Sequence, residues 1–435
     1  MSVGAETAVR GAAMTPSIAR LASWLGVRLC LAPLLVLTVP RWTNAILFAG
    51  VLLSGALLLS GRLPPLRLAR TERRLAALLL VTLVSPIVAT VAAALLRGDL
   101  YPAQFEAPSR FLLAVPLFLF VLRWRVPAGR ILQWVLPVAL LLALAYLHFI
   151  GQDPRWPARR VTTHAVDPLV FCYLTLTFGL MGLVSITPRD WREGDRWSVA
   201  LRFAAFFLGA YLSLLTFSRT GWAAVPLLVA AWLLHHWGGR GKLQTFTVLG
   251  LAVLAPVAAY LLVPVIADRV DITVREILSY PWQGVAPETS VGLRITYLRM
   301  AADLFAQHPW AGVGDTARMA PATVADFPYA SPFAVQSAFE SAFHNQVVSS
   351  AVRSGAGGLV SAALLLLVPL AICLRAVRQP ENRGNADAAM GVAFFTTLVV
   401  SSLSTEVVDL KFMASFYATM TALFCGVLLN RHGQD

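Results

Sequence analysis

Apolar residues in this chain come in runs about as long as a bilayer is thick. Twelve runs, bounded by charges, glycine or proline, cover 21–39, 43–60, 75–96, 111–122, 131–150 and 169–187 in the first half; the second half adds 197–217, 222–237, 245–266, 358–374, 388–402 and 412–429. A helix needs about 20 mostly apolar residues to cross hydrocarbon, and inside lipid only helices and closed barrels satisfy their own backbone groups. Of the 435 residues, 58% are hydrophobic and 13% charged, with a mean hydropathy of +0.70; soluble domains carry about 25% charged residues. A water-soluble multidomain enzyme, a disordered chain, a collagen-like chain and a disulfide-rich secreted module are all excluded. The pattern predicts an all-α polytopic membrane protein of about 12 transmembrane helices, in which the short runs at 111–122 and 388–402 could begin a turn earlier. The first run follows about twenty residues, contains Arg28 and lacks a small-residue cleavage site, so it reads as a helix and not as a removed leader.

The net charge of +13 would suggest nucleic acid in a soluble protein, and 33 of the 35 basic residues are arginine. Here most arginines fall in short loops between apolar runs, as the positive-inside rule expects, and no nucleic-acid partner is implied. Five loops, at 62–74, 123–130, 189–196, 240–242 and 375–383, hold 16 basic residues, whereas the opposite short loops hold eight. That bias puts the first set, and both termini, in the cytoplasm. Trp42, Trp124, Trp191, Trp197, Trp222 and Trp237 sit at run ends, where an aromatic belt contacts headgroups. Cys30, Cys172, Cys373 and Cys425 lie inside apolar runs as small core residues, without metal-ligand spacing.

One stretch breaks the rhythm. Residues 267–355 stay on the outer side, between the ninth and tenth runs, and lack the composition of a disordered segment. Helical patterning (Ile295, Leu298, Phe305) and the aromatics Trp310, Phe327 and Tyr329 predict a folded cap of interfacial helices over a single transmembrane domain spanning 1–435. Its net charge is −2, so any anion site there must come from particular arginines.

The outer-face arginines run against the positive-inside rule and are therefore informative. Arg219 occupies the tight turn Thr216-Phe217-Ser218-Arg219-Thr220-Gly221-Trp222. Ser218 or Thr220 can cap the following helix, whose partial positive N-terminus would join the guanidinium in a phosphate site. The competing reading is an arginine snorkelling to lipid headgroups. Arg294, after Gly292, lies early in the clearest helix of the 267–355 stretch. Arg299 is five residues on, about 140° around the helix, so at most one of the two points inward, and Arg294 is the choice.

His344 opens the segment leading into the tenth run, and imidazole is the side chain best suited to proton transfer near neutral pH. A structural role remains the alternative for a lone histidine. Arg353, nine residues on, points about 180° away, toward another partner or headgroups. No Asp-x-Asp pair, His-Glu-x-x-His, Gly-x-Ser-x-Gly or P-loop occurs, and no Asp or Glu lies inside any of the twelve runs. Metal-bound sugar-nucleotide chemistry, zinc proteolysis, serine hydrolysis, ATP hydrolysis and ion-coupled transport thus lack their signals.

Ser218-Arg219-Thr220-Gly221, then Gly292-Leu293-Arg294 with His308-Pro309-Trp310-Ala311-Gly312-Val313-Gly314, then His344-Asn345 with Gly355 and Gly358, resemble the O-antigen ligase family of bacterial lipopolysaccharide assembly. The resemblance covers roughly 216–358 and the twelve-run layout; O-antigen polymerases and protein O-oligosaccharyltransferases share much of the pattern. It implies a GT-C-like, metal-independent, inverting glycosyltransferase without cofactor in the inner membrane. Such an enzyme moves a glycan from undecaprenyl diphosphate onto a sugar hydroxyl of lipid A–core at the periplasmic face. On that reading Arg219 and Arg294 clamp the donor diphosphate and His344 is the general base. Asn345 either orients the imidazole or caps a helix, and Ser218 supports the diphosphate site. Arg155, Arg159 and Arg160 hold acceptor phosphates or membrane-lipid headgroups. A polymerase, a protein-glycosylating relative and, in a different class, a lipid-linked saccharide flippase are the alternatives.

Overall fold

The computed structural model describes residues 15–157, 160–187, 190, 195–218, 220–229, 250, 254, 257–258, 260–262, 264–315, 326–379 and 385–430. Among these residues every regular element is a helix. The first half contains α1 (Pro16–Leu29), α2 (Trp42–Leu59), α3 (Arg70–Arg97), α4 (Glu106–Val121), α5 (Ala128–Phe149), α6 (Pro168–Val184) and α7 (Arg196–Leu215). The second half contains α8 (Pro264–Leu278), α9 (Ser290–Gln307), α10 (Pro332–Ser341), α11 (Gln346–Arg378), α12 (Ala386–Ser402) and α13 (Lys411–Asn430). Among the described residues, seven stretches are long and apolar enough to cross a membrane, and α6 and α12 are shorter apolar helices. The chain is a polytopic membrane protein.

Two helices form the centre. α13 is buried along almost its whole length, with α2, α4, α11 and α12 around it, and every residue of α6 except Leu169 is buried, with α5, α7 and α12 alongside. Phe394, Phe395, Phe416, Tyr417 and Phe424 stack between α12 and α13 with ring centroids 5.0–6.3 Å apart. α6 and α7 approach closely because both carry glycine at the crossing: a Cβ on Gly209 would sit 2.4 Å from the Thr175 carbonyl oxygen. Small residues let helices pack in lipid, where no hydrophobic force pushes them together. The outward faces carry exposed Leu52, Leu59, Leu95, Leu96, Phe207 and Leu214, the surface that lipid would cover.

The described parts of the arginine-rich loops around 62–74, 123–130 and 375–378 gather at one end. There Arg375 pairs with the buried Glu72 at 3.4 Å, Asp387 accepts from the Gly129 amide, and the fully buried Arg202 pairs with Asp190 at 3.1 Å. At the other end Thr43 donates to the Phe412 carbonyl at 2.7 Å, Thr163 to the Leu37 carbonyl, and Lys411 pairs with Glu106.

Several expectations change. The run at 21–39 is not one continuous helix: α1 ends at Leu29 and the chain continues through turns, with Leu34 donating to Leu31 and Thr38 to Leu35. Pro33 and Pro40 lack the amide that a continuing helix needs. α4 and α12 begin earlier than the apolar runs, at Glu106 and Ala386. The runs at 222–237 and 245–266 lie largely outside the described residues.

α9 turns a different face inward from the one the Ile295, Leu298, Phe305 spacing suggested. Thr296, Tyr297, Met300, Ala301 and Leu304 are buried while Leu298 is 47% exposed. That stripe joins Phe327, Val335, Phe339, Phe343 and Val352 in a second apolar core, separate from the main bundle core.

Candidate active site

α11 begins in a constrained turn. Ala342 (φ 70°, ψ −179°) and His344 (φ 51°) both have left-handed φ, where side chains other than glycine are disfavoured. Such a backbone persists only when its surroundings hold it, and here they do. Asn345 caps α11, its side-chain oxygen accepting from the Val347 and Val348 amides at 3.0 and 3.1 Å. Its own amide donates to Glu406 Oε1 (3.2 Å) and its Nδ2 to the Leu403 carbonyl (3.3 Å). Ser349 Oγ donates to the same Glu406 oxygen at 2.7 Å and accepts from the Phe343 amide at 3.3 Å. Burial, then the neighbouring Asp409, pushes the Glu406 carboxyl above the usual carboxylate range. Of the two readings of Asn345, helix capping is the one its hydrogen bonds display.

The half-buried His344 ring packs against the Tyr297 ring, with centroids 5.6 Å apart. Tyr297 is three residues after Arg294 on α9, so the two share a face. Burial lowers the His344 pKa from its ordinary 6.5, and the Arg294 guanidinium lowers it further. The imidazole is therefore neutral at pH 7, the form in which it can accept a proton.

The pH dependence of any His344-dependent reaction follows. A lowered pKa leaves the base form populated further into acid, so the acid limb of the rate profile falls below pH 6.5. Arg294→Gln removes a like charge and leaves the burial, so the limb of the residual activity should move to higher pH. A limb unmoved in that variant would mean that Arg294 does not act on the imidazole.

Arg294 is exposed in the first turns of α9, whose N-cap Thr289 accepts from the Gly292 amide at 3.1 Å. Glu276 Oε2 takes the Val291 amide at 3.3 Å, so this helix start is not wholly open to an anion. Arg299 faces elsewhere, into an aromatic group around Tyr280, Trp282 and Tyr329. The angular separation along one helix thus sorts the two arginines.

Arg219 lies outside the described residues, as does Arg159. The turn flanking Arg219 is ordered by its own hydroxyls: Ser218 N donates to Thr216 Oγ1 (3.0 Å), Thr220 N to Ser218 Oγ (3.3 Å), and the two hydroxyls of Ser218 and Thr220 are 3.0 Å apart. Gly221 (φ 87°) closes it against Ser401, where a Cβ would meet the hydroxyl at 2.9 Å. Ser401 is in the last turn of α12, just before Leu403, whose carbonyl receives Asn345. The Ser218–Gly221 turn and the His344 turn therefore flank the same chain segment.

Arg155 forms a two-pronged pair with buried Asp153, through Nε at 2.8 Å and Nη2 at 2.5 Å, which anchors the 151–167 loop. Arg160 is exposed. Arg353 pairs with Asp409 at 3.0 Å, so its partner is a carboxylate and not a headgroup. Gln346 donates to that carboxylate at 2.9 Å and accepts from the Val408 amide at 2.9 Å. A cavity beside this pair is walled by Pro86, Thr90, Phe111, Ser350 and Gly358; His344 does not line it.

The motif from His308 to Gly314 explains itself mechanically. α11 kinks at Ser354 and Gly355 (φ 60°, ψ −150°), which frees backbone groups. Val313 and Gly314 donate to the Val352 and Arg353 carbonyls at 2.8 and 3.1 Å, and Ala356 donates to the Pro309 carbonyl at 2.7 Å. Arg97 from α3 adds donors to the Ala311 and Arg353 carbonyls. A Cβ at Gly355 would lie 2.5 Å from the Trp310 carbonyl carbon and oxygen. Gly355→Ala should therefore lower stability by ~1–3 kcal/mol from the backbone conformation alone, measured as thermal unfolding in detergent. An unchanged unfolding temperature would refute the clasp.

Sequence reasoning missed Tyr297, Ser349, Glu406 and Asp409. Tyr297 carried a signal, its three-residue spacing from Arg294. Glu406 carried none, because it reaches Asn345 from 61 residues away.

Helices long and apolar enough to cross a bilayer, with the half-buried His344 ring packed on Tyr297 and near enough to Arg294 to feel its charge, make this a polytopic membrane protein with a candidate site where α9 meets the start of α11. Residues 204–363, from within α7 to just past the α11 kink, match the family model described as O-Antigen ligase. No curated protein matches the chain.

Proposed function

We propose that the protein is an O-antigen ligase: a metal-independent, inverting glycosyltransferase with a GT-C-like membrane fold. It transfers a glycan from undecaprenyl diphosphate to a sugar hydroxyl of lipid A–core at the periplasmic face of the inner membrane, with both termini cytoplasmic and the 267–355 segment as its outer cap. The observation that carries this reading is His344 held beside Arg294 within the family-matched segment, its pKa lowered by burial and by that arginine.

The chemistry follows from the leaving group. As the bond between the anomeric carbon and the diphosphate oxygen breaks, negative charge grows on the diphosphate, and stabilising it is the main electrostatic task. Arg294 and Arg219 are placed in that role, and the Ser218 hydroxyl supports the Arg219 turn. The acceptor hydroxyl attacks the opposite face of the anomeric carbon while His344 Nδ1 or Nε2 takes its proton, which inverts the configuration. Arg160 and Arg159 serve acceptor phosphates in this scheme; Arg155 contributes whatever its Asp153 pairing leaves available. Asn345 acts by fixing the turn that presents His344.

The polymerase and protein O-oligosaccharyltransferase readings use the same donor chemistry and differ in acceptor. The test offers purified protein a lipid-linked glycan together with lipid A–core, a second lipid-linked repeat, or a protein, in EDTA. Transfer to lipid A–core that persists in EDTA is the expected result. Transfer to either other acceptor alone, or loss of activity restored by Mg²⁺, overturns it.

A further inference from the structure

On the face of α9 turned away from His344, four side chains form a layered stack. The Arg299 guanidinium carbon lies 3.9 Å from the Tyr329 ring centroid, 5.6 Å from that of Trp282 and 5.9 Å from that of Tyr280. Tyr280 is buried and meets Trp282 edge-on at 5.1 Å; its hydroxyl lies 3.0 Å from Thr296 Oγ1. The Tyr329 hydroxyl donates to Asp303, and its backbone carbonyl accepts from Ala286 at 2.9 Å, closing the 280–286 turn. Every layer is thus anchored, yet Trp282 remains 65% exposed. Arginine and tyrosine back one side of the indole, and the other side faces outward.

We propose that this outward indole face is a carbohydrate-stacking subsite, which holds a pyranose ring of a glycan substrate several sugars from the reacting bond. The inference rests on the function proposed above and deepens it. The apolar face of a pyranose presents C–H bonds that carry slight positive charge, and an indole face is electron-rich, so the two attract as well as bury area. Sugar hydroxyls need polar neighbours at the rim, and exposed Gln283 and Asp303 supply them. The guanidinium behind the indole fixes its orientation before any ligand arrives, which lowers the ordering cost of binding.

Charge argues against an anionic membrane surface as the occupant. The 267–355 segment is net negative, and Asp303 stands at the stack itself. Five residues of helix separate Arg299 from Arg294, about 7.5 Å of rise. The two side chains also point about 140° apart, so a glycan chain whose reducing end lies at Arg294 has to pass around the helix as well as along it to reach Trp282.

The test uses the full chain in nanodiscs. The probe is the undecaprenyl-linked glycan, together with the free glycan released from it by mild acid. Saturation-transfer NMR with the free glycan should show contact in the wild type, loss in Trp282→Ala and retention in Trp282→Phe. This readout needs no transfer, so it stands apart from the ligase reading. In steady-state assays Trp282→Ala should raise KM ~3- to 10-fold for the donor or for the acceptor with kcat little changed. The substrate affected identifies the sugar held. Glycan contact equal in wild type and Trp282→Ala overturns the subsite. So does a Phe variant as impaired as Ala, or fluorescence quenching by brominated lipid that disappears in Trp282→Phe.

Discussion

Replacing His344 with alanine should lower glycan transfer by ~10²- to 10⁴-fold, the range that a positioned general base supplies. A sugar hydroxyl is a weak nucleophile, and His344 is the half-buried imidazole whose pKa is lowered by burial and by Arg294, the arginine we propose for the leaving group. Backbone strain complicates the alanine variant, because residue 344 has φ 51°. His344→Asn separates the two causes: asparagine tolerates the left-handed region but carries no base. Both variants should be equally inactive while still folding and binding lipid-linked donor. Near-normal turnover in reconstituted vesicles by either variant would remove His344 from the mechanism.

Arg294→Ala and Arg219→Ala should each cost about 2–4 kcal/mol of transition-state stabilisation, by analogy with loss of one preorganised oxyanion donor. The loss should appear with diphosphate-linked donors. Lysine should rescue poorly at both positions, since it brings a compact charge in place of a planar fork that grips two phosphate oxygens at once. Arg299→Ala, on the same helix but turned into the aromatic stack, provides the comparison: it should spare kcat far more than Arg294→Ala does. Full activity of both lysine variants would count against two-pronged contacts and favour simple charge screening.

Much of this architecture was legible in the chain because the bilayer imposes a local rule. A run of apolar residues bounded by charge must be a helix in lipid, and its length is visible without knowing its neighbours. The angular separation of Arg294 from Arg299 was also local, resting on 100° per residue; the structure leaves Arg294 exposed and packs Arg299 among Tyr280, Trp282 and Tyr329. The rule failed where it met other local chemistry: Pro33 interrupts the first run and Pro40 follows its end. It also failed where burial was set from outside, as when α9 buried Tyr297, Met300 and Leu304 and left Leu298 exposed.

The site divides in the same way. Residue types and their order along the chain brought Ser218, Arg219, Arg294, His344 and Asn345 into view, because arginine in the loops opposite the arginine-rich set and histidine at a helix start are unusual by themselves. Tertiary structure decided what surrounds them. Glu406 and Ser349 hold the strained turn before α11, Asp409 takes Arg353, and Asp153 takes Arg155. The residues from Pro309 to Gly314 prove to be a clasp on the kinked helix. Each of these is a contact between segments remote in sequence, governed by which polar groups find partners once helices have packed. Hydrophobic periodicity fixes where a chain crosses lipid; only the packed bundle fixes which charges meet.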